Sequence, residues 1–467
     1  MAAETEHKTD RSMDPYLDLE KDPEPDLLPD TASSGSDIQP AAPSPAPDTT
    51  TLPPKYEATS LPAADVPPIP DGGLPANLQV LGSFSCMVAT WGLVNTFGVF
   101  QTYYTTTLLS HISASSISWI GSIQASLLLL LGLVSGPLYD KGYFRLTMTV
   151  GLGLIVFGMF MTSLADRYWQ LLLAQGVCVG VGMGLTFLPS TAVLSQWFDR
   201  RRAFAIAFAS VGSPLAGIVF PIIFSRLVPR VGFGWATRTI AFIVLGLAVI
   251  PVVFMRVRVP PKGNNKRPLV DRSAVRDPAF VLYALGGFAS FLVLYVPFFY
   301  TQLYTIALDI AEDDFAPYLV TFLNVGSVLG RIIPGLAADR WGSLNTTIVC
   351  TLVSAVLAFG WIGCHNLGGL TVFALLYGMF SGGVVGLAPS VMVGLTPDLT
   401  MLGARMGMSF AVNGVAVLVG SPIAGAILGD GHWTSMIVFT GCFLAAAVVL
   451  YAASRGFVWR VKGGFKG

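Results

Sequence analysis

From Asn77 onward, twelve stretches of about 20 mostly apolar residues follow one another, and each is long enough to cross a bilayer as a helix. They fall near 78–104, 117–138, 146–164, 169–195, 203–224, 235–255, 279–302, 317–338, 344–363, 370–394, 404–428 and 433–454. Inside hydrocarbon every backbone N–H and C=O must find its partner within the chain, so such segments are helices. The expected fold class is an all-α membrane protein with twelve transmembrane helices. Charge supports this: only 12% of residues are Asp, Glu, Lys or Arg, against about 25% in a soluble domain.

The formal net charge of zero conceals two different materials. Residues 1–75 hold 15 acidic and 4 basic side chains, and the remainder holds 12 acidic and 23 basic. The first segment also has 15 of the 31 prolines, and it lacks the apolar surface needed to offset ordering entropy. It reads as a disordered, acidic, Pro-rich cytosolic tail and not as a signal peptide. The rest divides into a six-helix half (76–255), a basic cytosolic linker (256–278), a second six-helix half (279–455) and a short basic cytosolic tail (456–467).

Lys and Arg accumulate on the cytosolic side of membrane proteins. With the amino-terminus in the cytosol, eighteen of the loop cations lie inside, and only Arg167, Arg226 and Arg230 lie outside. Both termini are therefore expected in the cytosol, with the plasma membrane as the expected location. The five cysteines lie in or beside apolar segments, with no disulfide or zinc spacing, and read as packing residues.

The chain repeats itself at a separation near 200 residues. Gly136-Pro-Leu-Tyr-Asp140-Lys141-Gly142 after helix 2 is answered by Gly335-Leu-Ala-Ala-Asp339-Arg340-Trp-Gly342 after helix 8. Pro189-Ser190 is matched by Pro389-Ser390, and Gly212-Ser-Pro214-Leu-Ala-Gly217 by Gly420-Ser-Pro422-Ile-Ala-Gly425. Paired halves with Gly/Pro-interrupted helices at matching places point to alternating access around a midplane site.

The Gly-x-x-x-Asp-Arg-x-Gly loop resembles the signature loop of the major facilitator superfamily; the second copy matches fully and the first is one residue short before Gly142. Asp71-Gly72-Gly73 before helix 1 and Trp197-Phe198-Asp199-Arg200-Arg201-Arg202-Ala203 before helix 5 resemble the monocarboxylate-porter family, in its fungal branch. The resemblance spans roughly residues 70–460 and implies an alternating-access carrier. In it Gly136, Asp140, Lys141, Gly335, Asp339 and Arg340 form gating loops. It also aligns Arg331 with a helix-8 Arg of the animal monocarboxylate carriers. Their proton-coupling Asp, one turn earlier, is here Ser327.

No Asp or Glu lies deep in any span, but Arg331 does. A charge there costs roughly 2.5–3.5 kcal/mol on insertion scales, so it should face a cavity or a partner. A guanidinium grips a carboxylate through two parallel bonds, which makes Arg331 the expected anion anchor; the other reading is a structural Arg bonded to carbonyls. Asn95, Gln124, Tyr300, Asn324 and Asn413 are polar candidates for the same cavity, although in lipid such groups also bridge helices. Arg238 reads as a headgroup or loop contact.

No Walker A loop is present, so ATP hydrolysis is not the expected drive. Nor is there a nucleophile elbow, a His-Glu-x-x-His pair or a cofactor fingerprint, and nothing points to a nucleic-acid partner. The expected function is secondary transport of a small organic molecule, a carboxylate or other anionic metabolite, including export of a fungal secondary metabolite. A non-transporting nutrient sensor on the same fold and a membrane-embedded enzyme are the alternatives. In the tail, Pro53-Pro54-Lys55-Tyr56 is a preformed polyproline segment suited to the aromatic groove of a WW domain. WW-bearing ubiquitin ligases are the expected partner, with Lys8, Lys21 and Lys55 as acceptors.

Overall fold

The architecture is a bundle of long helices, seen in a computed structural model that describes residues 70–199, 201–258, 271–311, 315–397, 401–429 and 431–462. For Asp140, Arg202, Ala203, Val461 and Lys462 only the backbone is described. The Pro53-Pro54-x-Tyr56 segment and most of the central linker lie outside these residues.

Among the described residues, eleven apolar spans are long enough to cross a membrane. They are α1 (Leu74–Leu108), α2 (Ala114–Tyr139), α3 (Phe144–Thr162), α4 (Tyr168–Gln196) and a 51-residue span Phe204–Phe254, followed by six more. The 51-residue span is two helices. Gly232 interrupts it at φ 75° and ψ 167°, a conformation that only glycine adopts without strain, and so separates α5 (204–231) from α6 (233–254). The remaining spans are α7 (Pro278–Ala307), α8 (Ala316–Trp341), α9 (Ser343–Gly363), α10 (Leu367–Leu395), α11 (Leu402–Leu428) and α12 (Trp433–Arg460). The expected twelve helices are present, but α5 runs on through Arg226 and Pro229 where the sequence suggested a loop.

Local chemistry sets the helix ends. Pro75, Pro278 and Pro317 stand in first turns, where a missing N–H costs nothing. The Ser113 hydroxyl, the Asp277 carboxylate and the Asn366 amide oxygen accept the orphan N–H groups of Ser116, Ala279 and Gly369. The two signature loops share a backbone: Gly142 (φ 89°) and Gly342 (φ 87°) both turn the chain into the next helix. The one-residue shortening before Gly142 leaves this glycine turn intact.

An even number of spans puts the start of α1 and the end of α12 on one face of the membrane, called below the terminal face; the opposite one is the distal face. Glycines allow close helix crossings. A Cβ at Gly326, Gly330 or Gly378 would strike the backbone across the α8–α10 contact. Between the halves, Gly414 of α11 rests against Leu129 and Leu130 of α2, and the Ser115 hydroxyl donates to the Pro422 carbonyl at 2.8 Å. Gly98 of α1 meets the Phe298 carbonyl of α7, and Phe97 packs edge-on to Phe299 at 5.0 Å. Both contacts lie in the distal halves of α1 and α7. Among the cysteines, Cys86 and Cys350 are buried and Cys178 and Cys364 partly so, but Cys442 is exposed on α12. The expectation of packing fails at Cys442, on a helix face turned away from the bundle.

Candidate substrate site between the halves

Arg331 lies 15 residues from the distal end of α8, about 22 Å along the helix at 1.5 Å per residue. Its guanidinium crosses to the other half. Nη1 donates to the Ser210 carbonyl of α5 at 2.6 Å, and Nη2 donates to the Ser213 hydroxyl at 3.3 Å. Among the described residues Nε has no hydrogen-bond partner.

The Ser210 carbonyl is available because of Pro214. In a helix the carbonyl of residue i accepts from the N–H of residue i+4, and proline has no N–H to give. Pro214 therefore orphans the carbonyl of Ser210, and the helix is broken at Val211. An unsatisfied carbonyl in hydrocarbon is costly; here a cation supplied by the opposite half answers it. The Gly-Ser-Pro repeat in α5 thus creates one side of the site.

Ser213 gathers a second ligand. Asn95 Nδ2 of α1 donates to the Ser213 hydroxyl at 3.2 Å. Just terminal to Asn95, α1 widens into a π-helical turn, Val88–Gly92, the kind of irregularity that often marks functional sites. That turn carries Trp91, which stacks on Tyr295 of α7 with ring centroids 5.9 Å apart and planes 15° from parallel. Tyr295 lies within electrostatic reach of Arg331. Helices 1 and 5 from one half, and 7 and 8 from the other, thus converge on one guanidinium with an aromatic pair beside it.

Asn324 sits two turns distal to Arg331 on α8 and is fully buried, with its amide pressed against Gly217 of α5. Its Nδ2 returns to the Val320 carbonyl at 2.8 Å, and Oδ1 has no partner within the protein. Tyr300 and Asn413 stand apart from this cluster. The Tyr300 hydroxyl donates to the Ser421 carbonyl at 3.1 Å and is wedged against Gly425, in the contact between α7 and α11. Asn413 is packed against Gly287 inside the second half. Gln124 donates to the Met183 sulfur at 3.7 Å within the first half. Ser327 faces Gly382 of α10 so closely that a Cβ there would collide with it. The narrow α8–α10 crossing leaves no room for an aspartate at 327.

Sequence reasoning missed Ser210, Ser213, Trp91 and Tyr295. The signal for Ser210 was present, since a proline four residues later always frees a carbonyl. Trp91 and Tyr295 carried none, because one aromatic among many in a span is indistinguishable from packing.

The residues expected to form gating loops lie at the terminal face. Lys141, Asp339 and Arg340 are exposed, and among the described residues none of them forms an ion pair. The Asp71 carboxylate accepts from the backbone N–H of Asp199 at 2.6 Å, and the Asp71 N–H donates to the Trp197 carbonyl at 3.2 Å. The motif before α1 and the motif before α5 are thereby tied together. In the second half Arg405, at the start of α11, bonds Asp271 at 2.8 Å and Asp277 at 3.1 Å, both ahead of α7. Arg405, counted above as a loop cation, is a buried structural one. Arg238 donates to the Ser163 hydroxyl at 3.1 Å and lies over Trp235, a loop contact as expected.

The chain matches the description of the Major Facilitator Superfamily over residues 80–362 and 305–463. An MFS-type transporter of Emericella nidulans, dbaD, is 42% identical over 374 residues, 79% of this chain and 84% of that one. The aspyridones efflux protein apdF of the same organism is 36% identical over 397 residues, 85% of this chain and 80% of that one. Among solved structures, a POT family transporter in complex with 5-aminolevulinic acid superposes with a TM-score of 0.68 at 13% identity, covering 84% of this chain and 99% of that one.

Proposed function

Since the chain belongs to the major facilitator superfamily, we propose that this secondary transporter exports an organic anion, a carboxylate-bearing fungal secondary metabolite, with Arg331 as its anchor. One observation carries the reading: the deepest cation in the bundle is held between the halves by a backbone carbonyl and a hydroxyl. Neither acceptor carries a formal charge. A carboxylate is a stronger acceptor, and charge-assisted bonds are roughly twice as strong as neutral ones. A substrate carboxylate therefore displaces the Ser210 carbonyl and uses Nε as well. The Trp91–Tyr295 pair offers an apolar face for the body of the metabolite. Export follows the relative apdF, named as an aspyridones efflux protein.

In the orientation drawn from the basic loops, the terminal face is cytosolic and the membrane is the plasma membrane. The distal contact of α1 with α7, together with the unpaired Asp339 and Arg340, then describes a carrier closed to the outside. Substrate enters from the cytosol, and the loops at Gly136–Gly142 and Gly335–Gly342 close behind it. Pro53, Pro54 and Tyr56 recruit a WW-domain ubiquitin ligase that removes the carrier from the surface. The decisive test is transport by Arg331→Ala at equal surface expression. Loss of anion export with insertion retained fits the reading, and undiminished export removes Arg331 from the site.

A further inference from the structure

A cluster of guanidinium groups stands at the terminal face, away from the substrate site. A cavity of about 580 Å³ is lined there by Arg272, Ser273, Arg276, Asp277, Pro397 and Arg405. Its floor is fixed. Arg405 is only 5% exposed and commits four of its five N–H donors, to Asp271, to Asp277, to the Leu395 carbonyl at 2.9 Å and to the Ser273 hydroxyl at 3.3 Å. The Ser273 hydroxyl and Arg405 hold the Asp271 carboxyl down to about 2, so that the floor stays ionised at any physiological pH.

The rim has a different character. Arg272 and Arg276 belong to one short helix, Arg272–Arg276, four residues apart and hence on one side of it. Both are exposed, and among the described residues neither has a carboxylate within ion-pair distance. Ala274 anchors the helix inward at 0% exposure, while Val275 is 62% exposed. The helix ends one residue before Asp277, which caps α7, so this rim stands where a transmembrane helix leaves the bilayer. Two unpaired guanidinium forks and an exposed valine at that depth match a phosphate with acyl chains below it. Clusters of basic residues beside spans bind anionic lipids by this combination.

We propose that this cavity binds the phosphorylated headgroup of an anionic phospholipid from the leaflet at the terminal face. Arg272 and Arg276 grip the phosphate in the bidentate geometry that guanidinium favours. The occupied cavity bridges the linker ahead of α7 and the turn between α10 and α11. Lipid composition thereby acts on the entry to α7 and on the α10–α11 turn, whatever substrate the midplane site carries.

The test uses the full-length protein in mild detergent, with thermal unfolding followed upon addition of dioctanoyl phosphatidic acid, dioctanoyl phosphatidylcholine or inorganic phosphate. A ligand that binds only the folded state raises the melting temperature. Phosphatidic acid should raise it by several degrees, and phosphatidylcholine should not. An Arg272→Gln/Arg276→Gln double variant should melt like the parent without lipid and lose the rise. Native mass spectrometry of the parent alone should retain one phosphatidic acid molecule, which keeps the test valid should the double variant misfold. No rise, a rise kept by the double variant, or absence of the retained lipid overturns the proposal. An equal rise with inorganic phosphate also overturns it, because the site would then serve a free anion.

Discussion

At the scale of single residues, the proposed chemistry rests on Arg331 and Ser213. The hydroxyl of Ser213 accepts from Asn95 and from Arg331 at once, so it orients the guanidinium without neutralising it. A hydrogen bond to a charged group contributes about 1.5–3 kcal/mol, and a neutral one about 1. Arg331→Ala should therefore weaken anion binding by roughly ten- to a hundredfold. Arg331→Lys should keep part of it, because a point charge lacks the fork. Ser213→Ala should be milder, raising the apparent KM for the anion about two- to tenfold. Transport kinetics of the two variants at matched surface levels check this ordering. A Ser213→Ala effect as large as that of Arg331→Ala would make Ser213 a direct ligand. Of Arg331 and the five polar candidates read beside it, Arg331, Asn95 and Asn324 gather along α5, whereas Gln124, Tyr300 and Asn413 are held in contacts elsewhere. The first group was legible because a deep charge and the amides near it are rare in spans. The second group was not separable from it, because a buried amide looks the same whether it lines a cavity or a helix crossing.

At the scale of elements, the two halves use one plan with different materials. Before α1, Asp71 secures the α4–α5 turn through backbone amides. Before α7, Asp271 and Asp277 secure the α10–α11 turn through the guanidinium of Arg405. Removing one partner from a buried ion pair costs roughly 3–5 kcal/mol. Arg405→Ala should accordingly lower the melting temperature far more than loss of an exposed cation such as Arg340. The pH response has a definite sign. Asp271 has a folded pKa of about 2 against an ordinary 3.8, so the unfolded chain takes up its proton first as pH falls. The stabilisation is complete above about pH 4 and fades as pH drops through about 2. Melting curves of the parent and of Asp271→Asn should thus converge in acid; curves that stay parallel across this range would contradict the assignment. The signature loop after α8 belongs to the same scale. Asp339 and Arg340 are exposed and, among the described residues, form no ion pair, so Asp339→Asn should slow transport while leaving substrate affinity within about twofold. Lost affinity with unchanged rate would assign the loop to recognition. The twelve spans and the repeat were readable from hydropathy and Gly/Pro punctuation. The continuation of α5 to Gly232 was not, because Arg226 and Pro229 carry the composition of a loop and only the glycine turn ends the helix.

At the scale of the whole molecule, the proposed orientation rests on an even number of spans and the skewed distribution of Lys and Arg, and it puts both termini in the cytosol. Asn345-Thr346-Thr347 then lies at the cytosolic end of α9 and should remain unglycosylated in cells, with Tyr56→Ala lengthening residence at the plasma membrane. A glycosidase-sensitive mass that disappears in Asn345→Gln would reverse the orientation. The contacts of α1 with α7 and the guanidinium held between α8 and α5 fit one state of the proposed exporter. The most direct measurement compares anionic metabolites retained in cells with those in the medium, by mass spectrometry, in a strain lacking the gene. The account predicts that one anionic metabolite accumulates inside, that the parent gene restores its export, and that Arg331→Ala at equal surface abundance does not. Full restoration of export by Arg331→Ala would contradict it.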